Sequence, residues 1–182
     1  MHSGGMKLNI AITTMLGAVL AACSPVGPSG NLSVPQPIKP VEIDRYLGHW
    51  FELARYENQF ERNCEAVTAD YSLRKDGTVR VLNTCREGGT NGEFRASEGR
   101  AKTVPDSGNS KLKVSFFGPF YGDYWILDRA ADYSWSIVGE PSGRYLWILT
   151  RTPKPTKKTR NMLVERAKAL GYDVDMLRWT QH

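Results

Sequence analysis

Between residues 66 and 74 polar and apolar side chains alternate strictly, with Val67, Ala69, Tyr71 and Leu73 set against Thr68, Asp70, Ser72 and Arg74. Successive side chains of an extended strand point to opposite faces, so this stretch reads as a half-buried β-strand and not as an amphipathic helix. Lys75-Asp76-Gly77 follows, with Asp-Gly at a hairpin tip, and Val79, Val81 and Asn83 carry the alternation into a second run. The rhythm then repeats: runs at 49–57, 66–74, from Val79 onward, 92–104, 111–117, 123–128, 134–140 and 145–152 are each reached through a Gly, Pro, Asn or Asp turn. Short strands at a spacing of about ten residues mark an antiparallel sandwich or barrel.

The C-terminal region departs from this pattern. Over 156–171, Thr159, Leu163, Ala167 and Leu170 fall at helical spacing, Lys and Arg take the other face, and Gly171 supplies the stop. A further strand is expected over 174–179. Eight antiparallel strands joined as an up-and-down meander lose their exposed edges by closing into a β-barrel, whose interior holds one small ligand. A filled β-sandwich is the competing reading. The expected fold is therefore all-β, with the α-helix packed outside.

The N-terminus reads as a targeting segment. Met6-Lys7 gives a positive start, residues 8–19 an apolar run, and Leu20-Ala21-Ala22-Cys23 small residues of the kind a lipoprotein signal peptidase cuts. The apolar run is too short to span a bilayer. Residues 1–22 are thus expected to be a signal peptide, Cys23 the acylated first residue of the mature chain, and 23–40, with five prolines, a flexible tether. Ser24 follows the cysteine in place of Asp, and the resemblance of this stretch to sorted bacterial lipoproteins implies the outer membrane, with the barrel in the periplasm. With Cys23 committed to lipid, Cys64 and Cys85 remain as an even pair in an oxidising compartment, and a disulfide is expected.

Residues 41–182 carry a family resemblance. Gly48-His49-Trp50 opening the first strand, Asp132-Tyr133 in the turn before the seventh and Arg151 closing the eighth resemble the three signature regions of the lipocalins. Tyr46-Leu47-Gly48, Phe60-Glu61-Arg62, the run from Lys113 to Gly122 and Tyr145-Leu146-Trp147-Ile148-Leu149 are similar to the family's bacterial outer-membrane lipoprotein branch, which is related to apolipoprotein D and the plant temperature-induced lipocalins. The resemblance implies a barrel closed at one end, where Trp50 is a plug, Gly48 allows the turn that admits it, and Arg151 stacks on the indole while donating to nearby carbonyls. The loops at 58–64, 87–91, 118–122 and 139–144 then surround the open mouth. Phe120 and Tyr121 are the aromatics placed there to meet an apolar ligand.

Strand parity selects the lining: Tyr71, Val81, Asn83, Val114, Phe116 and Trp147. The family's pocket positions matching Tyr71, Asn83 and Trp147 support that parity. No Lys or Arg shares these faces, so a ligand's charged head is expected at the wet mouth with its chain inside. Fatty acid or lysophospholipid is the expected partner, and a homodimer is left open. Lipid-modifying enzyme and non-binding envelope scaffold are the alternative readings.

Catalysis finds little support. The histidines are His2, His49 and His182, from which no Ser-His-Asp or Cys-His set or metal site can be assembled. Cys85 shares the inward parity of Asn83, so a free thiol there would revive a pocket-thiol enzyme, which the disulfide to Cys64 removes. Gly88, Gly89 and Gly92 form a turn between strands, without the strand-to-helix setting of a phosphate loop. The formal charge of +5 is spread along the chain, which gives no basic block for nucleic acid. No cofactor and no metal are expected.

Overall fold

The computed structural model describes Met1 and residues 33–182. The signal segment, Cys23 and the first part of the tether lie outside the described residues. Strands β1 (Gly48–Tyr56), β2 (Cys64–Leu73), β3 (Val79–Glu87), β4 (Glu93–Thr103), β5 (Lys111–Phe117), β6 (Phe120–Arg129), β7 (Trp135–Gly139) and β8 (Leu146–Thr150) follow one another around a single antiparallel sheet. Pairing of β1 with both β8 and β2 closes it into the expected eight-stranded up-and-down barrel. A short helix α1 (Ile43–Tyr46) precedes β1, and α2 (Lys157–Ala169) follows β8.

The segment expected as a strand over 174–179 divides in two. Val174–Met176 is a 3-10 turn, and only β9 (Leu177–Trp179) is extended. Asp173 explains the turn, because its carboxylate accepts from the Asp175 backbone N–H and fixes a local bend in place of a sheet bond. β9 then pairs with Ala54–Tyr56 of β1. Just beyond it the Ala66 N–H donates to the Gln181 carbonyl, so the C-terminal segment fills the gap where β1 and β2 diverge toward the mouth.

Two apolar layers result from strand alternation. Val41, Tyr46, Trp50, Tyr71, Val81 and Leu149 belong to the barrel interior. Leu53, Tyr56, Leu127, Ile137 and Ile148 face outward and are covered by Leu163 and Ala167 of α2. Thr156 caps that helix by accepting from the Thr159 N–H. Asp128, almost wholly buried, takes Arg166 of α2 at 2.6 Å and Lys39 at 2.9 Å. The Ile38 N–H also donates to the Leu127 carbonyl, and Arg129 donates to the Pro40 carbonyl, so the end of the proline-rich segment is fastened to the barrel.

At the closed end Trp50 is fully buried and its indole N–H donates to the Tyr46 carbonyl at 2.8 Å. The Arg151 guanidinium lies 3.7 Å from the Trp50 ring centre and donates to the carbonyls of Arg45, Tyr46, Leu47, His49 and Tyr133. It thereby satisfies the C-terminal carbonyls of α1, which a four-residue helix cannot pair internally. Gly48 takes a φ of +91°, a left-handed conformation that suits glycine. Tyr133 sits between the Arg45 and Arg129 guanidinium groups and accepts the Glu42 N–H, while Asp132 caps the turn by accepting from Ser134. Trp50→Ala is expected to cost about 3–5 kcal/mol, as removal of a buried aromatic does. Urea unfolding checks it, and an unchanged midpoint would show that Trp50 is no plug.

Candidate functional site

The barrel interior changes chemistry along its axis. Nearest the closed end it is apolar, with a cavity of about 20 Å³ bordered by Leu47, Tyr71, Val81, Leu112 and Tyr124, enough for about one water. Beside it runs a chain of hydroxyls: Tyr124 bonds Tyr46 at 3.0 Å and Tyr71 at 2.8 Å, and Tyr46 bonds Ser136 at 3.2 Å. Burial pushes the Tyr46 phenol up to about 12 and raises Tyr71 and Tyr124 as well. These phenols stay neutral and satisfy one another.

Toward the mouth the interior becomes ionic, contrary to the expectation that no Arg reaches it. Arg55 is 0% exposed and lies opposite the inward-facing Trp147 in the β1–β8 register. A β-bulge between Glu52 and Ala54 is the reason: the inserted residue reverses the alternation, turning Arg55 inward and Ala54 and Tyr56 toward α2. Arg55 donates to Glu52 at 2.7 Å and to the backbone carbonyls of Glu61 and Cys64. Arg178, opposite Arg55 in the β1–β9 register, donates to Glu65 at 2.6 Å and to the Cys64 carbonyl, and its Nε lies 3.1 Å from Glu57.

Four carboxylates thus surround two guanidinium groups. Glu52 is 2% exposed; its Oε1 accepts from Arg55 and Thr180, while Oε2 has no partner. Burial, reinforced by the nearby Glu61 charge and opposed by Arg55, pushes the Glu52 carboxyl up to about 8. Glu61, on the loop 57–63, uses Oε2 to accept the Trp147 indole N–H at 2.8 Å and the Asn58 amide at 2.7 Å. Its loop is thereby joined to β8 across the mouth.

All six residues read as lining come to the interior face. Tyr71 and Val81 belong to the buried core, and Val114, Phe116 and Trp147 pack against it half-buried. Asn83 pairs in register with Ala69 of that core, and its Oδ1 is buried without a partner. Gly99 lets the Phe116 ring lie flat on β4, since a Cβ there would approach the ring to 2.9 Å. Cys64 and Cys85 form the expected disulfide, with Cα atoms 5.6 Å apart, and are buried with Val67 near the mouth. At the rim Phe117 and Phe120, 78% and 79% exposed, face each other across the Gly118-Pro119 turn. Among the described residues no group of three or more His, Cys, Asp or Glu side chains is placed to hold a metal ion.

Tyr46, Glu52, Arg55, Tyr124 and Arg178 were not singled out from the sequence. Inward parity from Trp50 and Ile126 would have found Glu52 and Tyr124. The two arginines depend on the bulge and on β9.

Comparison with known proteins follows the same architecture. Residues 41–182 match the lipocalin-like domain family. The chain belongs to the lipocalins. The outer membrane lipoprotein Blc of Vibrio cholerae is 42% identical, covering 84% of this chain and 91% of that protein. Temperature-induced lipocalin-1 of Arabidopsis thaliana is 40% identical, over 79% of this chain and 80% of that protein. Among solved structures, insecticyanin of the tobacco hornworm Manduca sexta superposes with a TM-score of 0.64 at 19% identity, covering 82% of this chain and 84% of that one, and so shares the fold. The high-coverage bacterial relatives place this lipocalin among outer-membrane lipoproteins.

The raised Glu52 carboxyl has a measurable effect on stability. Below its ordinary value of 4.5 the group is protonated whether the chain is folded or not; between 4.5 and about 8 only the folded state holds the proton. Its contribution to stability therefore falls as pH rises across that window and levels off above it. Glu52→Gln is expected to flatten this part of the profile. Melting temperatures measured from pH 5 to 9 check it, and an unaltered slope would show that Glu52 is already ionised in the folded protein.

Proposed function

We propose that this lipocalin binds and carries or stores a single-chain lipid, fatty acid or lysophospholipid, while held at the outer membrane by an acylated Cys23. The supporting observation is an apolar interior, lined by Tyr71, Val81, Val114, Phe116 and Trp147, that opens on a rim of exposed aromatics. The interior cavity of about 20 Å³ would have to widen by movement of these side chains to admit an acyl chain, and the ionic surroundings of Arg55 keep the head near the mouth. One eight-stranded barrel has room for about one chain, so a two-chain phospholipid should fit poorly. The mature protein would begin at Cys23, with 23–40 as its connection to the membrane. Envelope maintenance under stress is the role that fits a tethered carrier.

Delipidated protein titrated in parallel with lysophospholipid, fatty acid, retinoid and haem, with Trp emission as readout, tests the ligand class. Of the five tryptophans, Trp147 is the one in the proposed lining, so a Trp147→Phe control separates its share of the signal. Val114→Trp and Phe116→Asp are each expected to weaken lipid binding about tenfold or more in a barrel that still folds. If folded variants at Tyr71, Phe116 and Trp147 all bind as tightly as the parent, the chain does not enter the barrel and the scaffold reading replaces this one. The anchor is tested separately, by mass spectrometry of protein from native envelopes. A diacylated or triacylated Cys23 at the N-terminus is the expected result, and an unmodified Cys23 would remove the lipid anchor.

A further inference from the structure

The formal charge of +5, expected to be spread along the chain, is concentrated on one element. Residues 154–168 hold six basic side chains and one acidic one, so of the chain's 24 Lys and Arg and 19 Asp and Glu, eighteen of each remain for everything else. The whole excess lies on α2 and the turn that precedes it. Of the six, only Arg166 makes an ion pair among the described residues; Lys154, Lys157, Lys158, Arg160 and Lys168 are exposed and make none.

Helix stability does not explain these side chains. The first turn of α2 has no acidic residue, and Lys157 and Lys158 stand there against the positive end of the helix dipole. Leu163 and Ala167 are turned to the barrel, so Lys157, Asn161 and Lys168 fall on the outward face. Apolar surface adjoins that face. Trp179 of β9 is exposed, with the Arg160 guanidinium 4.2 Å from its ring centre, and Met176 is exposed on the turn before it. Cations grouped around an exposed indole suit the boundary of a bilayer, where phosphates accept from the cations and the indole sits at the level of the headgroups. A second copy of this chain would bring the same positive charge to the contact and be repelled.

The N-terminal segment joins the barrel beside this surface. Lys39 and Arg166 of α2 share the carboxylate of Asp128, so the chain leads away toward Cys23 from the flank of the helix. Residues 23–38 span at most about 50 Å when fully extended. An acylated Cys23 therefore keeps α2 close to lipid, and a contact too weak to hold a free protein becomes an intramolecular one.

We propose that the outward face of α2, together with Trp179, docks on the anionic phospholipid headgroups of the leaflet that carries the anchor. The barrel then rests on its helical side, held at two points instead of swinging on its leash. This docking surface is separate from the lipid-carrying cavity, and its setting rests on the anchor reading given above.

The test uses acylated protein from native envelopes, reconstituted in nanodiscs of phosphatidylcholine alone or of phosphatidylcholine and phosphatidylglycerol in equal parts. With Cys23 acylated and Cys64 bonded to Cys85, an introduced thiol is the one site for a nitroxide label. Asn161→Cys reports the outward face of α2, and Ser72→Cys, exposed on β2, is the control. In discs containing phosphatidylglycerol the collisions of the Asn161→Cys label with a water-soluble nickel chelate are expected to fall about threefold, and to recover in about 1 M salt, where charges are screened within about 3 Å. The control label should not change, and phosphatidylcholine should protect neither. Replacing Lys157, Lys158 and Arg160 together by Gln is expected to abolish the protection. Equal exposure of the Asn161→Cys label in both discs, or protection that survives the triple substitution, overturns the docking surface while the anchor stands. Dipolar coupling between labels of two chains in place of lipid protection assigns the face to a second copy and overturns it as well. An unmodified Cys23 overturns the anchor reading; the surface then stands if the protein still binds vesicles containing phosphatidylglycerol and not those of phosphatidylcholine, and falls if it binds neither.

Discussion

The pairing of β1 changes partner part-way along its length, and much of the molecule is arranged around that change. Gly48–Phe51 bonds to β2, Phe51–Arg55 to β8, and Ala54–Tyr56 to β9. A strand that kept one parity throughout would send Ala54 and Tyr56 inward and Arg55 outward. The bulge after Glu52 reverses this, so that Trp50 and Glu52 fill the interior while Leu53, Ala54 and Tyr56 form the surface on which α2 rests. One inserted residue therefore supplies the helix with its apolar seat and places a guanidinium inside a barrel. The separation of β1 from β2 that accompanies it would expose unpaired backbone, and the C-terminal residues from β9 onward occupy that gap.

Burial of Arg55 is tolerated because both Nη atoms are hydrogen-bonded, although Nε has no hydrogen-bond partner. An isolated guanidinium inside the barrel would cost several kcal/mol, whereas here the Glu52 carboxyl, a threonine hydroxyl and two carbonyls meet it. The same bonds draw the loop 57–63 down over the mouth, and Glu61 ties that loop to Trp147. Further in, the three phenols satisfy one another with no charge, and at the closed end the interior is apolar. Polarity thus rises from the Trp50 plug through the hydroxyl chain to the ionic mouth. An amphiphile that enters chain first presents its polarity in the same order.

The parts of the fold that were legible in the sequence depend on local rules. Period-two alternation located the strands, Asp-Gly and Gly-Pro punctuation located the turns, and Gly48, Trp50 and Arg151 announced the closed end because each has a separate steric or electronic reason to be there. The lining followed from parity wherever a strand ran without interruption, as for Tyr71, Val81, Asn83 and Val114. Arg55 was hidden because a bulge leaves no mark in Leu53-Ala54-Arg55-Tyr56, and beyond a bulge parity gives the opposite answer. Glu61 was quoted only as part of a family motif. Its partner Trp147 is 86 residues away, and no local signal joins the two. Val174–Met176 formed a turn because Asp173 offered a nearby acceptor that competed with the sheet.

The attachment of the N-terminal segment affects how the barrel responds to being held. Lys39 and Arg166 meet on the single carboxylate of Asp128, and Pro40 is gripped by Arg129, all at the end of β6 opposite the Phe117–Phe120 turn. A pull transmitted along the chain from its start enters the barrel at that corner. From there it would pass into β6 and, through Arg166, into α2. The mouth loops lie at the far ends of the strands, so a load entering through Lys39 and Pro40 would not run through the opening.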